Sequence, residues 1–265
     1  MHANFVDFTT VRHYQFSSLI LEGLRNTILL SVLAQLVGLV LGLVFAVGRM
    51  SKNPVFKLLS SFYIWFFRGT PVIVQLFFWF NGVPSVFHNL TLQLPFTHVV
   101  LFTTPMVQFM TPFMAALIGL GLNEGAYMAE IIRAGILSVD EGQLEAASAL
   151  GMTSSLSLRR VVLPQAMRVI VPPTGNEFIA MLKTSSLASI VTYGELLRRA
   201  GDIYSTNLQV LPLLIVASIW YLVLTSVATV GQFYLERRFA RGHQRELEPT
   251  ALQRLRHAIT EGPRL

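Results

Sequence analysis

The sequence predicts an all-α integral membrane protein with five membrane-spanning helices, and three observations carry that prediction. First, 53% of its 265 residues are hydrophobic and 13% are charged, with a mean hydropathy of +0.57, whereas a soluble domain is about 25% charged. Second, apolar runs recur that are long enough, at about 1.5 Å per residue, to cross roughly 30 Å of hydrocarbon. Third, Lys and Arg crowd into alternate connecting segments, the asymmetry that orients a chain in a bilayer. The chain has no cysteine, which excludes disulfides, thiolate metal sites and a cysteine nucleophile. Its histidines, His2, His13, His88, His98, His243 and His257, are scattered without an i,i+4 pair, so a zinc site is not expected. The net charge of +6 belongs to topology rather than to nucleic acid.

Residues 1–18 are mixed polar and aromatic and read as an extracytoplasmic segment at the membrane surface. They lack a basic start followed by an apolar run, so no cleavable signal is expected. The first span runs from Leu19 to Gly48, with Glu22 and Arg25 at its outer end. Gly38 and Gly42 form a GxxxG pair, which either permits close helix contact or arises by chance in so apolar a helix. Arg49, Lys52 and Lys57 mark the next loop as cytoplasmic and leave the N-terminus outside. The second span, Phe56–Phe80, is interrupted by Arg68-Gly69-Thr70-Pro71. Pro71 removes a helical hydrogen bond and clashes with the carbonyl of Phe67, so a kink is expected near mid-membrane. An arginine at that depth must face protein or water. Arg68 then either satisfies freed carbonyls or, with Thr70, presents polarity to a substrate path.

Residues 81–104 are turn-rich and then apolar, predicting an extracytoplasmic loop with a re-entrant or interfacial piece. Asn89-Leu90-Thr91 has the form of a glycosylation acceptor, a pattern too weak to use. The third span is expected from Pro105 to Ile136, with Glu124, Glu130 and Arg133 in its inner half and an i,i+3 ion pair between the last two. It delivers the chain to a polar, small-residue segment, Ser138–Pro164, that must lie outside the hydrocarbon. There Ser138 and Glu141 have capping-box spacing for a helix starting at Val139, and Gly151 is a natural stop, giving about 12 residues and about 18 Å. A second helix is expected from Thr153 or Ser154 toward Leu163 and Pro164. Ala146, Ala147, Ser148 and Ala149 give the first helix a low-relief surface that suits docking in a groove, although an ordinary alanine-rich loop has the same composition.

Arg159, Arg160 and Arg168 are again cytoplasmic, and the fourth span follows over Val169–Val191 with Pro172-Pro173 near its start. It carries Asn176, Glu177 and Lys183. Asn176 shares a face with Lys183, and Glu177 with Thr184. Ionisable groups inside a span mark pathways or partner sites. Glu177 can receive an ammonium or guanidinium, and the hydroxyls of Thr184, Ser185 and Ser186 can meet a carboxylate. The other reading is that Glu177 and Lys183 pair with neighbouring helices. Residues 192–206 form an outer loop with an amphipathic turn, where Glu195 and Asp202 balance Arg198 and Arg199. The fifth span, Asn207–Phe233, ends at Glu236, Arg237, Arg238, Arg241 and Arg245, and a polar tail with Pro249 and Pro263 follows. Fourteen of the 20 Lys and Arg fall on the cytoplasmic side, so the C-terminus is expected there. The organisation is 1–18 outside, 19–235 in the membrane with the docking segment 138–164, and 236–265 as a cytoplasmic tail.

Glu145-Ala146-Ala147, then Leu150-Gly151, then Val162-Leu163-Pro164, resembles the EAA signature of permease subunits in bacterial ATP-binding-cassette importers. RGTPVIVQLFF (Arg68–Phe78), AYMAEIIRAGI (Ala126–Ile136) and LPQAMRVIVPPTGNE (Leu163–Glu177) resemble the polar amino acid branch, which handles histidine, arginine, glutamine, glutamate, cystine and opines. The similarity covers roughly residues 18–235. It implies the transmembrane domain of a type I importer in the bacterial inner membrane, with a coupling helix between the third and fourth spans.

The resemblance assigns ATPase coupling to Glu145, Ala146, Ala147, Leu150, Gly151, Leu163 and Pro164. It also implies an extracytoplasmic solute-binding protein that delivers a small polar amino acid. The chain contains no G-x-x-x-x-G-K-S/T motif, so ATP and Mg²⁺ are expected on a separate ATPase subunit that grips residues 138–164. Five spans enclose a path poorly, so a second permease subunit, homologous or identical, should complete it. The competing reading is a stand-alone ion-coupled secondary carrier or channel, with Arg68, Glu177 and Lys183 as an ion relay. It leaves the capped alanine-rich helix unexplained. A membrane enzyme has no recognisable nucleophile, base or metal cluster.

Overall fold

In the computed structural model, which describes residues 8–93 and 100–239, the chain folds around the helix α7 (Pro112–Leu137). Thr111 caps its start by accepting from the Met114 N–H at 3.2 Å. Small residues such as Ala115, Gly119, Ala126 and Gly135 are buried on several faces, as a helix enclosed by others requires. α2 (Ser18–Met50) lies along it in parallel. Gly38 abuts the side chain of Glu124 and Gly42 abuts Met128. Reciprocally, a Cβ on Gly121 would sit 2.7 Å from Val37 Cγ1, and one on Gly125 would sit 2.8 Å from Leu41 Cβ. The GxxxG pair is therefore a packing device, matched by a second small-residue pair on the partner helix.

Because α2 and α7 run the same way, the chain between them must return. It does so through α3 (Pro54–Gly69), α4 (Val72–Phe77), a π turn at Phe78–Gly82 and α5 (Val83–Val86). The kink expected at Arg68–Pro71 is a full break. Thr70 is extended, and helix resumes only after Pro71. The freed groups are satisfied by amides rather than by Arg68. Gln75 Nε2 donates to Phe67 O at 3.0 Å and to Thr70 O at 3.1 Å, and Asn123 Nδ2 donates to Phe67 O at 2.7 Å.

The all-α expectation needs one correction. β1 (Asn89–Gln93) and β2 (Val100–Pro105) form an antiparallel hairpin with Leu90 opposite Thr104 and Thr91 opposite Thr103. Alternating Leu and Thr in β1 and the Val and Thr content of β2 favour the pleated conformation. The helix expected from Pro105 consequently starts later, since Pro105 ends β2 and a single turn, α6 (Met106–Phe109), precedes α7.

After α7 come α8 (Glu141–Ala149) and α9 (Ser154–Ser157), then a π turn at Leu158–Val162 that runs into α10 (Leu163–Thr184). The expected second helix starts at Ser154 and runs through the π turn into α10 without a break, so the helix expected from Val169 begins earlier. α10 contains Pro172 and Pro173 and tightens into a 3₁₀ helix at Ser185–Val191. The amphipathic turn of the outer loop is a complete helix, α11 (Leu196–Asn207), and α12 (Val210–Phe239) follows. α12 extends past Phe233, so the boundary expected at 235/236 falls inside it. α1 (Phe8–Tyr14) packs on α12, where Trp220 Nε1 donates to Gln15 O at 2.8 Å.

By length and apolarity alone, α2 and α12 can cross a membrane. The other expected spans are a broken helix, a helix carrying Glu124 and a helix carrying two prolines. Residues 1–7 and 240–265, with most of the expected tail, lie outside the described residues, as do His2, His98, His243 and His257.

Candidate functional site

The segment between α7 and α10 presents its surface outward. Ser138 does not cap the next helix. It stays helical in the last turn of α7, and its hydroxyl donates to Gly135 O at 2.7 Å. Asp140, two residues on, is the N-cap of α8, its Oδ1 accepting from Gly142 N at 2.7 Å. The capping box fails because α7 extends further than its apolar pattern suggests and consumes Ser138.

The stop at Gly151 is a Schellman turn. Met152 N donates to Ala147 O and Gly151 N to Ser148 O, with Gly151 at φ +75°. Ala147 is buried against the following turns, whereas Glu145, Ala146 and Gly151 are exposed and Leu150 is 82% exposed. Leu163 and Pro164 open α10 and are also exposed. A short helix of small side chains edged by an uncovered leucine offers low relief with one apolar projection, the form that suits docking.

A second polar group lies within the bundle. Arg68, exposed in the last turn of α3, stands over the ring of Tyr127 at 5.1 Å. Half-buried Glu177 on α10 is within electrostatic reach of both Arg68 and Glu124. Glu124 is 4% exposed and accepts from Gln35 Nε2 at 3.0 Å. Among the described residues neither carboxylate forms an ion pair.

The other candidates are dispersed. Asn176 accepts from Gln232 Nε2 at 3.0 Å. Thr70 Oγ1 is committed to the helix break, donating to Phe66 O and accepting from Gln75. Ser185 is buried and donates to Leu182 O at 2.9 Å. Lys183 is exposed, and Thr184 and Ser186 are half-buried. Thr184 lies two turns, about 10 Å, beyond Glu177.

Sequence alone does not mark Glu124 and Gln35 as site residues. Glu124 shares its helix with Glu130 and Arg133, and nothing along the chain separates it from their charge. Those two do pair, with Arg49 as a further partner of Glu130, which leaves Glu124 apart. The available signal was spacing, since Gln35 precedes Gly38 by almost one turn on the face of α2 that meets α7.

At the opposite end of the bundle the chain is tied down. Glu195 is fully buried and caps α11, its Oε1 accepting from Arg198 N at 2.6 Å and its Oε2 from Leu197 N at 2.9 Å, while the Tyr221 hydroxyl donates to Oε2 at 2.7 Å. Burial outweighs these bonds and pushes the Glu195 carboxyl up to about 7. Balancing of Arg198 and Arg199 falls instead to Asp202 and to Glu22, which meets Arg199 at 2.6 Å. Leu196 N donates to Thr27 Oγ1 at 3.1 Å, and Asn26 Nδ2 to Gly194 O at 2.8 Å.

Residues 38–241 match the family described as binding-protein-dependent transport system inner membrane component. The arginine transport system permease protein ArgU of Corynebacterium glutamicum is 47% identical over 96% of this chain and 78% of its own length. The L-cystine transport system permease protein TcyB of Bacillus subtilis is 40% identical over 83% of this chain and 86% of its own. A crystal structure of an amino acid ABC transporter with histidines superposes with a TM-score of 0.74 at 37% identity, covering 88% of this chain and 99% of that one. A methionine transporter, MetNI, in an inward-facing form shares the fold alone, at 19% identity and a TM-score of 0.66.

Proposed function

This chain belongs to the family of binding-protein-dependent transport system inner membrane components, and from that premise we propose that it is the permease subunit of an ATP-driven importer carrying a polar or charged amino acid across the bacterial inner membrane. It is a transport subunit rather than an enzyme, and ATP with Mg²⁺ is hydrolysed on a separate ATPase subunit. The observation that carries the coupling role is the outward surface of α8, with Glu145, Ala146 and Leu150 uncovered at the junction of α7 and α10. An ATPase gripping this surface, at Gly151, Ala147, Leu163 and Pro164 as well, moves both helices together and shifts the bundle between inward- and outward-open states. A carrier working alone has no use for that surface, and the family speaks against it.

Five spans are proposed: α2, α3 to α5, α7, α10 with its 3₁₀ end, and α12. The parallel run of α2 and α7 supports one return between them. The basic residues after α2, α9 and α12 support an N-terminus outside and a cytoplasmic C-terminus. A second permease subunit, identical or homologous, and an extracytoplasmic solute-binding protein complete the importer.

Glu124 and Glu177 make the bundle interior acidic, with Arg68 as the nearby cation. That balance, and similarity to a permease named for arginine, favour a cationic amino acid. Its charged side chain would meet Glu177, and Asn176, Lys183, Thr184, Ser185 and Ser186 would line the remaining path with Arg68 and Thr70. Uptake into proteoliposomes holding the complete importer tests this. Glu177→Gln lowers uptake of cationic amino acids more than that of neutral ones, whereas equal loss for both makes Glu177 a structural carboxylate. Uptake that persists without any ATPase subunit overturns the importer reading itself.

A further inference from the structure

From Gly69 to Asn123 the sequence contains no Asp, Glu, Lys or Arg. That stretch includes the whole connection between the second and third spans, which in a water-facing loop would be about a quarter charged. The connection is not a tight turn either, but holds the β1–β2 hairpin with α5 and α6 on its flanks. Among the described residues it exposes large apolar side chains. Val86 is 66% exposed, Phe87 58%, Phe102 52% and Val107 70%. In water such a patch invites aggregation.

The register sorts the hairpin into two faces. Leu90 opposite Thr104 lies on one, and Phe102, two residues from Thr104, lies on the same side. Leu90 packs on the cluster of Val83, Met106 and Met110, so that face continues outward from the bundle as the uncovered ring of Phe102. The other face carries Thr91 and Thr103, whose hydroxyls meet across the strands at 3.4 Å. A two-stranded hairpin has unpaired N–H and C=O groups along both edges, which the hydrocarbon core does not tolerate. At the headgroup boundary those edges are wet while apolar side chains dip toward the acyl chains.

We propose that the β1–β2 hairpin is an interfacial membrane anchor, with its Phe102 face seated on the headgroup–acyl boundary of the outer leaflet and its Thr91–Thr103 face turned to water. Three observations select lipid as the occupant. The stretch has no charge with which to recognise a soluble partner. The helix α4 and the π turn that precede it also expose Val74, Phe77 and Phe78. Its faces differ, with Phe102 on one and the Thr91–Thr103 pair on the other, where Val100, 52% exposed, stands opposite Gln93. The assignment rests on the membrane placement and orientation proposed above.

The cysteine-free chain allows single-site labelling of the complete importer in nanodiscs. Spin labels on Phe102→Cys and Phe87→Cys are expected to collide several-fold more often with oxygen than with a water-soluble nickel chelate, and a label on Thr103→Cys to show the reverse. Chelate access at both faces overturns the anchor. So does dipolar broadening between two labels on Phe102→Cys, which would place a second copy there, or shielding that appears only when the solute-binding protein is added. An impermeant maleimide should reach Thr103→Cys in right-side-out vesicles. Reaction in inside-out vesicles alone overturns the orientation and the leaflet together, whereas the collision results overturn the hairpin's role by themselves.

Discussion

The two polar connections flanking α10 are of similar make and opposite in bonding. Before it, α8 and α9 are held by bonds within the segment: Asp140 to Gly142, Ser148 to Leu144, Thr153 to Leu156 and the Schellman pair at Gly151. After it, the turn at Gly194–Glu195 and the helix α11 are bonded to other helices, to Glu22, Asn26 and Thr27 on α2, 168 to 177 residues away, and to Tyr221 on α12. One connection keeps its surface free, and the other has spent its polar groups inside the molecule. The coupling role proposed above needs both, a handle that another chain can grasp and an end that does not give way.

Substitutions in the handle should damage transport far more than folding. Gly151→Trp is expected to lower ATPase-coupled uptake more than tenfold. It costs about 1 kcal/mol for a non-glycine residue at positive φ, with no neighbouring atom within 4 Å of the new Cβ to clash. Glu145→Lys should do the same without touching the backbone. Normal uptake with both variants, measured at equal membrane abundance, would remove α8 as the handle.

The fixed end should show the reverse, a stability effect with a pH signature. With its carboxyl held at about 7 by burial, Glu195 stays protonated in the folded state while the unfolded chain ionises near 4.5. Its contribution is therefore complete below about pH 4.5 and is lost as pH rises through 7, roughly 3 kcal/mol over that window. The thermal midpoint of the wild type should fall across it relative to Glu195→Gln, whatever the absolute stability of that variant. Parallel curves would mean that Glu195 ionises freely in the fold. The smallest effect belongs to Arg198, whose ion pair with Asp202 at 3.0 Å is substantially exposed. Arg198→Ala should change stability by less than about 0.5 kcal/mol, and a larger loss would extend the locked region beyond Arg199 and Glu195.

Much of this was legible in the residues. Period, apolarity and basic loops located the helices, Pro71 located the break, and Gly151 located the end of α8, because each follows from covalent or local chemistry: a missing N–H, a positive φ, the cost of charge in hydrocarbon. The Glu145-Ala146-Ala147 to Gly151 spacing likewise placed a short helix with a glycine stop between α7 and α10. The cap of α8 was misplaced because Ser138 and Asp140 compete for one role, and how far α7 extends decides between them. The GxxxG pair was ambiguous because glycines show close approach only when the approaching helix is known. Glu124 could not be told from Glu130 until Arg49 and Arg133 were seen to pair with one and not the other.

By itself, then, the sequence determined where most helices run, break and stop, since that depends on neighbours along the chain. Only the tertiary structure decided which polar groups satisfy one another, Glu195 with Tyr221 and Gln35 with Glu124, and which surfaces are left over for a partner or for lipid. Those pairings join residues far apart in the chain, and no local preference encodes the distance between them.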